Sequence, residues 1–197
     1  VRITGGMLRG RDVPMPRRGQ VRPTSARVRE ALFSIIGQDL SGWSALDAFA
    51  GAGLLGLEAA SRGASPVLFV DRDAAVIRHL QRSIAALASG LPGGTRLSVR
   101  RLDAAVVLKE RALKLGALKE EASEEGEGHP PAGFDLVLLD PPYAEESLRW
   151  LELGAAATRR ALVLEHRWGV ELPPTAGPLR LHRHRRYGDT GLAVYTR

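Results

Sequence analysis

From Ala45 to Glu165 the sequence alternates short apolar runs of strand type with longer runs of helical period, and that rhythm leaves few folds open. Strands are expected at 45–50, 66–71, 95–101, 134–139 and 161–165, with helices at 52–62, 73–89, 103–117 and 145–158. Such alternation is the pattern of a mostly parallel sheet covered by helices on both faces. Two later runs, 178–186 and 190–196, joined at Tyr187-Gly188-Asp189, read as an antiparallel hairpin. The rhythm breaks at 118–133, where five glutamates within 120–127 precede Gly128, His129, Pro130 and Pro131. That stretch reads as a mobile acidic loop.

Ahead of the alternating body, residues 1–22 are short extended pieces broken by Gly5-Gly6, Gly10, Pro14, Pro16 and Gly19. They suggest a hairpin-like arm, an appendage rather than core, preceding a domain at 23–197. Pro23-Thr24-Ser25 then starts a helix whose Val28, Ala31, Leu32, Ile35 and Ile36 recur at helical spacing until Gly37. Arg27 and Arg29 fall off that stripe and are expected to point outward. The formal charge of +6 is concentrated here, because residues 1–30 hold eight arginines against Asp12 and Glu30. A second basic cluster runs from Arg180 to Arg186. Arginine-rich segments on a near-neutral body are the footprint of a polyanionic partner.

The absence of cysteine removes disulfides, thiolate metal sites and thiol nucleophiles from consideration. The five histidines show no metal-ligand spacing, so no metal is expected. No apolar run approaches the roughly 20 residues of a membrane span, and the amino terminus lacks a charged-then-apolar export pattern. A cytoplasmic protein without membrane contact is expected.

The first strand-to-helix turn, Asp47-Ala-Phe49-Ala-Gly51-Ala-Gly53-Leu-Leu-Gly56, carries Gly-x-Gly-x-x-Gly in the context of a nucleoside-cofactor site. Close strand-helix packing would select the same glycines. Asp71, at the end of the second strand, is placed to accept ribose hydroxyl protons, and Asp103, after the third, to meet an adenine amine. A dinucleotide shares these features, but its pyrophosphate favours bare N–H groups at a helix start, and Asp47 is awkward there. The acid suits a cofactor with a cationic aminoacyl end and no phosphate, which is S-adenosylmethionine.

The apolar run 134–139 ends at Asp140-Pro141-Pro142-Tyr143. Two prolines remove two backbone donors and leave carbonyls free to accept. Asp140 and the Pro141 carbonyl could take the two protons of a planar amine while Tyr143 stacks on its ring, an interaction worth about 1–3 kcal/mol.

Together, Asp47-x-Phe49-x-Gly51-x-Gly53 and Asp140-Pro-Pro-Tyr143 resemble the S-adenosylmethionine-dependent amino methyltransferases. The arm Arg2-Ile-Thr-Gly5-Gly6-x-x-Arg9-Gly10-Arg11 and the segment Arg22-Pro23-Thr24-x-x-Arg27-Val28-Arg29-Glu30 look like the RsmD-type small-subunit ribosomal RNA guanine-N2 methyltransferases. The resemblance implies an α/β, Rossmann-like class I methyltransferase. It would have a seven-stranded mostly parallel sheet, the last strand antiparallel, plus a small N-terminal hairpin-like extension that helps hold RNA. It assigns Asp47, Phe49, Gly51, Gly53, Asp71 and Asp103 to the cofactor, with Arg22 and Thr24 closing over its methionine end. Asp140, Pro141 and Tyr143 would be catalytic. Arg9, Arg11, Arg27, Arg183 and Arg185 would meet the phosphates of small-subunit ribosomal RNA, free or in an assembling 30S particle, with the protein a monomer. Two other readings stay open: an amino methyltransferase acting on DNA adenine or cytosine, and a non-catalytic RNA-binding or assembly protein keeping the fold.

Overall fold

A computed structural model describes residues 1–16, 24–120, 133–142 and 145–197, with backbone alone at 117–120. Its elements follow the sequence rhythm: α1 (Ala26–Ile36), β1 (Ala45–Asp47), α2 (Leu54–Ser61), β2 (Val67–Asp71), α3 (Ala74–Leu87), β3 (Leu97–Arg101), α4 (Ala104–Glu120), β4 (Phe134–Leu139), α5 (Ser147–Ala156), β5 (Thr158–Arg167), β6 (Thr175–Ala176), β7 (Leu179–Tyr187) and β8 (Thr190–Thr196). The continuous run Phe134–Leu139 is buried along its whole length, as a central strand with helices on both faces demands. Ser25 caps α1 by accepting from the Val28 N–H at 3.3 Å, and Asp73 caps α3 through Ala75 and Val76.

The strands form one sheet in the order β3-β2-β1-β4-β5-β8-β7-β6. β1 to β5 are mutually parallel, and β8 runs antiparallel between β5 and β7. This is the expected mixed sheet, with the two-residue β6 added at its edge. β5 runs longer than the expected 161–165 because β8 pairs with it from Ala161 to Arg167. One apolar cluster packs α1, α2 and α3 against the sheet, and a second packs α4 and α5 on the opposite face. Residues 121–132, most of the expected acidic loop, lie outside the described residues.

Two expectations are corrected. Over residues 1–16 the amino-terminal segment is hairpin-like, with a bridge from Arg2 to Asp12, but it is not set apart from the core. Ile3, Leu8 and Val13 are buried in the α1–α3 cluster, at about 1.5–3 kcal/mol for each such side chain. They cover α2, which is buried on every side. Gly6 (φ +73°) lies so close to the Ser61 carbonyl that a Cβ would overlap it, and the Met7 N–H donates to that oxygen at 2.7 Å.

The second correction concerns Arg29, which points inward and is fully buried, while Arg27 is exposed. Arg29 donates to Glu58 Oε1 at 3.1 Å, to the Arg2 carbonyl at 2.7 Å and to the Thr24 carbonyl. Glu58 also accepts from Arg62 and from the Thr4 N–H and hydroxyl, at 2.8 and 2.9 Å. The cause is helical geometry: Arg29 shares its face with the buried Leu32 and Phe33, three and four residues on.

Candidate functional site

In a sheet of this kind the strand ends leave carbonyls and side chains projecting past the helices, and the crevice forms there. A cavity of about 510 Å³ opens at that edge, within the range of small-molecule sites. Ala48, Phe49 and Gly51 follow β1; Asp71, Arg72 and Asp73 follow β2; Leu102 and Asp103 follow β3; Asp140, Pro141 and Pro142 follow β4. Glu165 enters from β5, and Glu145 and Trp150 from α5 and the turn before it. Among the described residues, the lining gathers six carboxylates, of Asp71, Asp73, Asp103, Asp140, Glu145 and Glu165, against one arginine, Arg72. Such a crevice favours a cation and opposes a pyrophosphate.

Hydrogen bonds fix several of these acids. Asp71 Oδ2 accepts from the Gly51 N–H at 3.0 Å, and its Oδ1 from the Asp73 N–H at 2.9 Å, so the glycine turn and the end of β2 hold each other. Asp103 accepts from the Ala105 N–H at 2.8 Å, at the start of α4. Glu145 accepts from the Trp150 indole N–H at 2.9 Å and lies 3.5 Å from Arg72 across the crevice. Trp150 meets Phe49 edge-on at 4.8 Å, forming an aromatic wall. Asp140 Oδ2 lies 3.4 Å from the Thr24 hydroxyl, and the Pro142 carbonyl accepts from the Glu145 N–H at 2.8 Å.

The sequence-derived candidates divide accordingly. Phe49, Gly51, Asp71, Asp103, Asp140 and Pro141 line one crevice, and Thr24 reaches its rim through Asp140. Asp47 and Gly53 are not part of the lining. Asp47 is buried and accepts from the Gly56 N–H at 2.9 Å; desolvation, reinforced by Asp71, pushes its carboxyl up to about 7. Gly53 has φ +81° and packs against Leu80, so conformation and space both require glycine there. Arg22 and Tyr143 lie outside the described residues.

The arginines assigned to RNA are exposed but scattered. The Arg11 guanidinium lies 3.7 Å from the position a Cβ would take on Gly90, past the carboxyl end of α3, whereas the crevice uses the amino end of that helix. Arg9 and Arg11 therefore sit about 20 Å away, one length of α3. Arg183 and Arg185 pair with Val194 and Leu192, residues in the same cluster as α1, and so flank the helix that carries Arg27.

Glu165, Glu145, Arg72, Asp73 and Trp150 were not foreseen as lining. Glu165 was legible, since it ends an apolar strand just as Asp71 and Asp140 follow theirs. Trp150 packs in the apolar cluster of α4 and α5 and also lines the crevice. His79 donates its Nε2–H to the Pro14 carbonyl, 2.8 Å away, and serves the amino-terminal segment.

The chain matches the family described as Conserved hypothetical protein 95 over residues 1–196. It is 32% identical over 202 residues to the Escherichia coli K12 ribosomal RNA small subunit methyltransferase D, covering 100% of this chain and 90% of that one. It is 36% identical over 200 residues to Bacillus subtilis YlbH, provisionally named an rRNA methyltransferase, covering 99% and 98%. Among solved structures, E. coli yhhF, provisionally named a methyltransferase, superposes with a TM-score of 0.75 at 29% identity, covering 100% and 97%. The T. thermophilus 16S rRNA N2 methyltransferase RsmC, solved with AdoMet and guanosine, has a TM-score of 0.61 at 21% identity, covering 96% of this chain and 46% of that one. That likeness shows the shared fold.

Proposed function

We propose that this chain, which belongs to the RsmD family of S-adenosylmethionine-dependent methyltransferases, methylates the exocyclic N2 amine of a guanine in small-subunit ribosomal RNA. The observation that carries the reading is the crevice lined, among the described residues, by six carboxylates and one arginine, with Asp140-Pro141 part of that lining. That lining fits S-adenosylmethionine, which is cationic at both ammonium and sulfonium and carries no phosphate. Asp71 would take the ribose hydroxyls, Asp103 the adenine amine, and Phe49 and Gly51 the wall beside them. Asp47 would act from behind that wall by fixing the first turn of α2. Arg22 and Thr24 would close the methionine end.

When bound, the cofactor supplies an electrophilic methyl group on sulfur. The protein's task is the nucleophile, because the guanine amine has its lone pair delocalised into the ring. Asp140 and the Pro141 carbonyl accept its two hydrogens and favour a more tetrahedral nitrogen. Tyr143 stacks on the base and holds it in line. Orientation of this kind can contribute about 7–11 kcal/mol in favourable cases. No strong base is needed beforehand, because the methylated nitrogen is acidic and gives its proton to Asp140 or water. The base itself must come from a loop or be extruded from its stack. Arg9, Arg11, Arg27, Arg183 and Arg185 would meet phosphates. The protein would act as a cytoplasmic monomer on free RNA or on an assembling 30S particle.

The test is to incubate the protein with labelled S-adenosylmethionine and, in parallel, naked small-subunit RNA, small subunits or DNA, then to identify the modified nucleoside. N2-methylguanosine from either RNA substrate is the expected product. Methyladenine or methylcytosine from DNA would overturn the reading, and no label in any arm would leave a binding protein.

A further inference from the structure

Past Glu165, β5 ends in His166 and Arg167 and turns at Trp168, and none of these residues has a part in the mechanism above. His166 is buried, and its ring lies over Gly191 on β8, where any Cβ would collide with it. This lets it reach across β8 to β7, where His184 Nε2 stands 3.0 Å from His166 Nε2. The bonding fixes both tautomers. His166 Nδ1 faces the Arg167 carbonyl at 2.8 Å, which can only accept, so Nδ1 carries the proton and Nε2 accepts from His184. The His184 ring, held in this way, packs against Trp168 at 4.9 Å and 39°. The Trp168 backbone is held by its main-chain N–H, which donates to the Asp189 carbonyl at 2.8 Å, and the residue remains 37% exposed. Arg186 lies 5.6 Å from the centre of its ring.

A fixed, exposed indole beside a guanidinium is the equipment of a stacking platform for single-stranded nucleic acid. Its place suits one substrate. Glu165, three residues earlier and near the end of β5, lines the crevice, and β5 neighbours β4, which leads into Asp140. Trp168 therefore stands about 10 Å beyond the crevice wall, the span of about three stacked nucleotides. We propose that Trp168 stacks on a base flanking the target nucleotide, while Arg186 pairs with an adjoining phosphate. This rests on the RNA reading above. Stacking reads no base edge, so the platform would select single-stranded conformation beside the target rather than sequence.

The full-length protein is titrated with a short single-stranded RNA while indole fluorescence is followed, in wild type and in W168F. Because Trp150 lines the crevice, quenching in W168F is expected to be clearly smaller than in wild type rather than zero, and equal quenching would overturn the platform. In methylation assays W168A should raise KM for RNA by about tenfold, leave KM for the cofactor unchanged, and be largely rescued in W168F. R186Q should lower the salt slope of RNA binding by about 0.7–0.9, and W168A should leave that slope unaltered. A W168A enzyme with unchanged KM for RNA would reduce the indole to a clamp on the β7–β8 turn. Quenching by RNA without methylation of any RNA would instead overturn the proposed reaction and keep the site.

Discussion

Among the described residues, one carboxylate is shared by two arginines around Glu58, whereas six carboxylates line the crevice beside one arginine. The interior group is fully buried and its hydrogen bonds run to Arg29, Arg62 and Thr4. The charges there are committed to one another, and their effect is to pin the amino-terminal segment onto α2. At the strand ends Asp71 and Asp103 accept backbone bonds that orient them without neutralising them. Acids held in this way keep oxygen atoms to offer to a cationic ligand in the crevice. The same residue types thus hold the fold in one place and prepare a site in the other. The two regions touch through Arg29, which binds Glu58 and the Thr24 carbonyl, while the Thr24 hydroxyl reaches Asp140.

If that division is real, substitutions in the two regions should fail differently. The largest effect is expected from Asp140→Ala. Methyl transfer should fall by at least about 10²-fold, because the amine loses an acceptor and its alignment, while cofactor affinity falls less than about tenfold. Single-turnover rates and equilibrium binding measure the two separately. Near-normal turnover would remove Asp140 from catalysis. Glu58→Ala should do the reverse. Leaving two buried arginines without their carboxylate costs about 3–5 kcal/mol, a fall in Tm of roughly 6–20 °C for a chain of this size. Turnover per folded molecule at low temperature should drop far less than in the Asp140 variant. Comparable losses in both measurements would mean that the Arg29–Thr24 link couples the regions.

Asp47 belongs to neither region cleanly, since it is buried like Glu58 but bonded to the Gly56 N–H rather than to a cation. Burial raises its carboxyl from 3.8 to about 7, so the folded chain holds a proton that the unfolded chain releases. The sign follows: the folded state loses stability as pH rises from about 4 to about 7, and levels off above. Asp47→Asn keeps an acceptor for Gly56 and removes the charge. Relative to wild type, the cofactor-free variant should gain stability over that window, by a few kcal/mol at most, in denaturant unfolding at pH 5 and pH 8. A constant difference between the two pH values would place Asp47 in a more polar setting.

How much of this was legible depended on what each signal encodes. Strand-helix alternation fixes strand direction, strand direction fixes which ends converge, and so Asp47, Asp71, Asp103 and Asp140 are all expected at one edge; the last three line the crevice, and Asp47 is buried behind it. Glu165 obeys the same rule and was passed over because it carries no motif. Arg29 was misplaced because the apolar stripe was drawn through Val28 and Leu32 without Phe33, the residue that puts Arg29 on the inner face. The burial of residues 1–16 was hidden for a different reason. α2 is apolar apart from Glu58 and Ser61, which says that something must cover it, but no local pattern says what. The chain's own amino terminus, joined to Glu58 across 54 residues, is a tertiary answer.

The smallest expected effect separates the two groups of surface arginines, which composition had merged into one basic footprint. Arg9 and Arg11 lie beyond the carboxyl end of α3, whereas Arg183 and Arg185 flank α1 on β7. A short RNA reaching from the crevice across β5 and β7 can touch the second pair and fall short of the first. Arg183→Gln with Arg185→Gln should therefore lower the slope of log K against log salt by about 0.7–0.9 for each phosphate no longer neutralised, on a short oligonucleotide and on whole small-subunit RNA alike. Arg9→Gln with Arg11→Gln should lower it only on the long RNA, whose folded body can span the molecule. If both pairs lower it equally on the short strand, the nucleic acid runs along α3 rather than over β7, and the basic amino-terminal segment holds the target nearest the crevice.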